Sequence, residues 1–164
     1  MTNDDQGHAN ASAIPPASAL ALGYAGLLPP LAGIVARGLE LATGHPPTRA
    51  SALLLVGGLI YGGLILSFLG GIWWGAACAR TQGPALRRWL VLSVMPSLVA
   101  LLCLVAGIAN ARGGGALLAL ALATTPLVDR TLAIEGLVPR WWMALRPPLS
   151  FGLALEMLAL AMLA

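Results

Sequence analysis

Residues 50–79 read ASALLLVGGLIYGGLILSFLGGIWWGAACA, thirty positions without a charged side chain. As an α-helix this run is about 45 Å long, at about 1.5 Å per residue. The hydrocarbon core of a bilayer is about 30 Å thick, so about 20 such residues cross it. The run is therefore long enough to span a membrane with tilt or protrusion. Four more apolar runs lie around it, at about 17–36, 86–109, 115–128 and 149–163. They predict an all-α bundle of five membrane-spanning helices in one domain, residues 17–164, behind a disordered polar tail at 1–16.

The charge count agrees. The chain of 164 residues has nine arginines, no lysine and six acidic residues, so 9% of it is charged. A soluble domain carries about 25%. This composition excludes a soluble globular domain and a disordered chain. No basic cluster with interleaved aromatics is present, so nucleic acid is not an expected partner. The tail has Asp4 and Asp5 and no arginine, unlike a secretory or mitochondrial leader.

Prolines mark the expected boundaries. Pro15-Pro16 and Pro147-Pro148 stand before the first and fifth runs, where a missing N–H costs nothing. Pro29-Pro30 falls inside the first run and predicts a kink or break. Pro96 lies midway along the third run and frees the Leu92 carbonyl, with Ser93 and Ser97 placed to bond locally. Gly113-Gly114-Gly115 is read as a flexible turn between the third and fourth spans.

Orientation follows from arginines in the short loops. Arg80, Arg87, Arg88, Arg130, Arg140 and Arg146 fall at the end that holds the N-terminus, against Arg37, Arg49 and Arg112 at the other. Six against three places the N-terminus in the cytoplasm, in a bacterial inner membrane. Trp73, Trp74, Trp89, Trp141 and Trp142 fall at the same end, as an aromatic belt would. Residues 139–146 read as an interfacial stretch.

The second run also carries small residues every four positions: Gly63, Ser67, Gly71, Gly75 and Ala79, with Gly70 beside them. This spacing lets another backbone come close. It serves packing within the bundle, with Pro96 on the neighbouring helix, or a seam with a second copy.

These residues also carry a resemblance. Tyr61 to Gly75, with its core Leu66-Ser67-Phe68-Leu69-Gly70-Gly71-Ile72, resembles the central motif of an uncharacterised membrane family. Mitochondrial transmembrane protein 69 and many bacterial proteins belong to that family. Residues 22–29 and 93–98 are similar to further segments of it. The resemblance implies a five-helix membrane fold and no assigned activity. Trp73 stands where relatives often carry His or Arg.

Two sets of residues are candidate sites. Glu156 lies within the fifth run, where a carboxylate costs at least about 2.5–3.5 kcal/mol. With Ser67 and Ser97 it forms a candidate buried polar site. It is either a proton or cation site or a protonated carboxyl that hydrogen-bonds a neighbouring helix. Asp129 ends the fourth run, where a helix favours cations, so it is expected to pair with an arginine of the second loop or with Arg146. Trp74, Arg88, Asp129, Arg130 and Arg146 form a candidate rim that could hold an anionic lipid headgroup.

Cys78 and Cys103 lie too far apart in depth for a disulfide. His8 and His45 make no metal-ligand spacing with them. No catalytic motif is visible, and no metal or cofactor is expected. The first expectation for function is a non-catalytic membrane protein that packs with another membrane protein or itself. The alternative is a small oligomeric transporter or channel that uses Glu156 and the broken helices.

Overall fold

A computed structural model describes residues 13–164. Most of the tail expected at 1–16 therefore lies outside the described residues. Six helices follow in chain order: α1 (Ala17–Ala25), α2 (Leu28–Thr43), α3 (Arg49–Arg80), α4 (Gly83–Ala109), α5 (Ala111–Ile134) and α6 (Trp142–Leu163). α1 and α2 together make one span, so five segments are long and apolar enough to cross a membrane. No strand occurs among the described residues.

The break in the first span lies at Gly26-Leu27. Pro29 and Pro30 stand in the first turn of α2, where no intrahelical N–H is required. The Gly26 and Leu27 amides turn back to the carbonyls of Leu22 and Tyr24. α2 runs to Thr43, seven residues past the expected end at 36, and closes on Gly44 in a left-handed conformation. Glu40 fixes the next loop. Its Oε1 accepts from the Thr48 amide at 2.9 Å and hydroxyl at 2.8 Å. Thr48 in turn caps α3 through the Ser51 amide.

The fourth and fifth spans are longer than the sequence suggested. Gly113-Gly114-Gly115 is not a turn but the first helical turn of α5. The reversal from α4 to α5 takes one residue, Asn110, whose side chain accepts from the Gly113 amide at 3.1 Å. A side chain at Gly114 would strike the Gly107 backbone, so glycine is what lets so tight a hairpin close. The prolines of the fifth span are likewise inside α6, which starts at Trp142 rather than at residue 149.

The core divides in two along the membrane normal. One cluster, in the half containing the α3 N-terminus, joins Leu55, Leu66, Ala100, Leu118, Leu122, Met157 and Leu160. The other lies at the end with the α3 C-terminus, around Leu69, Trp73, Trp89 and Leu132. α3 lies centrally, and its glycines work on two neighbours. Gly58 and Gly62 admit Leu160 and Met157 of α6, while Gly63 and Gly70 admit Leu104 and the Ser93 carbonyl of α4. Gly71 and Gly75 meet nothing within 4 Å. The four-residue ladder therefore winds out of the bundle past Ser67, as a 3.6-residue helix requires.

Candidate functional site

The arginine-rich end holds a buried polar chain that links α3, α5 and α6. Asp129 is fully buried. Its Oδ1 accepts from Trp73 Nε1 at 3.0 Å, and its Oδ2 accepts from Arg146 Nε at 3.0 Å. Arg146 Nη2 donates to Ser150 Oγ at 3.4 Å, and Ser150 shares a hydrogen bond with Thr125 at 3.1 Å. The Thr125 hydroxyl donates to the Leu122 carbonyl at 2.8 Å. Pro126 leaves that carbonyl without its helical partner, so the hydroxyl takes the place of the missing N–H. The guanidinium also lies 5.6 Å from the Trp142 ring centre. Trp142 Nε1 is buried with no partner.

Both charges of the pair are thus compensated, and each carboxylate oxygen has a donor. Buried ions are tolerated on those terms alone. The pair meets no requirement for a nucleophile or a general base facing a substrate. It forms a joint between α5 and α6 with one unspent group, Arg146 Nη1, which makes no hydrogen bond among the described residues.

The rim residues expected together separate into distinct places. Asp129 and Arg146 meet. The indole that joins them belongs to Trp73, while Trp74 is 45% exposed on the outer face of α3. Arg88 pairs instead with Glu135 at 2.6 Å, and the other Glu135 oxygen accepts from Trp89 Nε1 at 2.8 Å. Arg80 donates to the Gly136 carbonyl at 2.9 Å. This second cluster staples the start of α4 and the end of α3 to the connection after α5. Arg130 is exposed. Sequence reasoning missed Glu135; the available signal was its place as the second acid, after Asp129, between Arg130 and Arg140.

Ser67 and Ser97 share a hydrogen bond at 2.8 Å across α3 and α4. Ser97 thus bonds across helices, and Ser93 donates to the Trp89 carbonyl at 2.7 Å, so neither serves the Leu92 carbonyl. Glu156 makes no contact with that pair. It lies between Gly152, which faces Leu27, and Leu160, which faces Gly33. This places it on the side of α6 turned to the first span. Its Oε2 is buried with no partner.

A cavity of about 280 Å³ opens between α1, α3 and α6. Gly23, Gly26, Tyr61, Ile65, Leu149 and Leu153 line it, with Arg146 and Ser150 supplying its polar part. Gly23 lets Leu149 come close to α1 beside the helix break. No group of three or more His, Cys, Asp or Glu able to hold a metal occurs among the described residues. Cys78 and Cys103 are free thiols.

The chain belongs to the family described as protein of unknown function (DUF3429), whose model matches residues 15–163. No curated protein and no solved structure matches it.

Proposed function

We propose that this protein is a non-catalytic assembly module, embedded in a bacterial inner membrane with its N-terminus in the cytoplasm. The carrying observation is the open face of α3 at Gly71 and Gly75; Gly57, nearer the α3 N-terminus, is open as well. The glycines at 58, 62, 63 and 70 each receive a neighbour, whereas Gly71 and Gly75 receive none. Association within a bilayer depends on close packing at such small residues. Gly71, Gly75 and the exposed Cys78 follow one another at helical spacing on the outer face of α3. They form a seam for a second copy of the chain. The arginine excess at the α3 C-terminal end supports the cytoplasmic orientation.

Cys78 supplies the test. Oxidation of native membranes should give a disulfide-linked dimer through Cys78 that a Gly75→Leu variant loses. A chain that stays monomeric under oxidation, with Cys78 modified readily by maleimide, contradicts the seam.

A second reading has its own observation. Glu156 leaves a carboxyl oxygen buried and unpartnered beside the broken first span, and such groups mark ion paths in membranes. Glu156→Gln keeps the shape and removes the ionisable proton. Under a transport role it abolishes pH-driven flux in proteoliposomes while the bundle stays folded. Unchanged flux, or none in either protein, removes this reading.

A further inference from the structure

The cavity between α1, α3 and α6 has features of a lipid site, which goes beyond the assembly role. Its direction is the first. Leu22 and Phe68 line it and are 75% and 63% exposed on the apolar flank of the bundle. The opening therefore faces hydrocarbon rather than water. From Arg146 to Leu153 the lining follows α6 for seven residues, about 10 Å at about 1.5 Å per residue. That path starts one turn into α6, at the arginine-rich end, and runs toward the bilayer centre.

Its chemistry is the second. At about 280 Å³ it lies just below the range of about 300–1,000 Å³ usual for pockets that enclose a whole ligand. It suits one hydrocarbon chain better than a compact molecule. Its walls are aliphatic side chains with the Tyr61 and Phe68 rings, and its charged group lies at one end. There Arg146 lines the cavity with Nη1 unspent, and the Trp142 Nε1–H beside it has no partner. Asp129 balances the Arg146 charge. The exposed Arg87, Arg130 and Arg140 at the same end are balanced by no ion pair among the described residues. That surplus favours an anionic head.

We propose that the cavity holds one anionic phospholipid. One of its two acyl chains lies along Leu149, Leu153, Leu122 and Ile65 while the other stays in the bilayer, and its phosphate-ester oxygens meet Arg146 Nη1. The lipid fills the gap that the broken first span leaves beside α3, and it belongs to the bundle rather than to the surrounding annulus.

Native mass spectrometry with equal amounts of phosphatidylglycerol and phosphatidylcholine tests this. The protein should retain one phosphatidylglycerol, preferred about fivefold over phosphatidylcholine, the effect of about one basic group near a headgroup. Ile65→Trp fills the cavity without touching the Asp129 network and should lose the retained lipid. Val91→Trp, on an exposed face of α4, should keep it. Stripping the wild-type protein with detergent gives a second readout that needs no variant. Its unfolding temperature should fall and be restored by phosphatidylglycerol more than by phosphatidylcholine. Equal retention by Ile65→Trp, or equal restoration by both lipids, overturns the proposal.

Discussion

Arg146→Ala should destabilise the bundle by about 3–5 kcal/mol, the usual cost of leaving one member of a buried ion pair without the other. The cost arises at Asp129, which is fully buried. It would keep only the Trp73 indole N–H as a donor. Arg146 also reaches Ser150, and through it Thr125 and the carbonyl beside Pro126. Its loss therefore weakens the α5–α6 joint as well as the charge balance. The double variant Asp129→Asn with Arg146→Gln removes both charges and keeps hydrogen-bonding groups of similar size. It should recover most of the loss. Unfolding in mixed micelles measures all three proteins. If the single and double variants fall equally, the pair acts through shape alone and its electrostatic role is refuted.

Gly70→Leu should be the next most damaging substitution, and it has an internal control one residue away. A Cβ at Gly70 would meet the Ser93 carbonyl of α4, a backbone atom that cannot rotate aside. α3 and α4 would have to part, which disturbs the Ser67–Ser97 hydrogen bond and the burial of Trp89. Overpacking of this kind costs about 1–3 kcal/mol and occasionally more. At Gly71 a Cβ meets nothing within 4 Å. Gly71→Ala should therefore hold or raise the stability of the isolated chain by up to about 1 kcal/mol, because alanine favours helix over glycine. Unfolding of monomeric protein in detergent separates the two. Similar losses at both positions would mean that the open face is packed within one chain, and the proposed seam would fail with it.

The parts of this architecture that could be read from sequence are those governed by hydrophobic length. The runs at 50–79 and 86–109 match α3 and α4 closely, because no charged side chain interrupts them past Arg87 and Arg88 at the start of the second. The first span was read too short at its far end. Arg37 and Glu40 resemble a boundary in sequence, but they pair at 3.3 Å and ride inside α2. Gly113-Gly114-Gly115 and Pro147-Pro148 misled for a common reason. Both are breakers by local propensity, and tertiary packing overrides propensity where a close approach or a neighbouring group compensates. At the candidate site, the need of Asp129 for an arginine was legible from helix polarity. The choice of Arg146 over the loop arginines was not, because it depends on how α5 and α6 cross. Trp73 rather than Trp74 faces Asp129 by a rotation of 100° about α3, which composition does not encode. The cavity was invisible in sequence, since it depends on how α1, α3 and α6 meet around the helix break.

The placement of α1 against α6 bears on how the protein is made. Among the described helices, α1 emerges well before α6, the helix it packs on. Until Leu145 and Leu149 arrive, Gly23 has no surface to receive it. The α3–α4 and α4–α5 hairpins, by contrast, join neighbours in the chain and can settle as they emerge. Folding of the described bundle thus includes a closing step in which α1 and α6 come together. The space between α1, α3 and α6 does not exist before that step. A lipid found there must be taken up as the bundle shuts, or enter afterwards through its open flank.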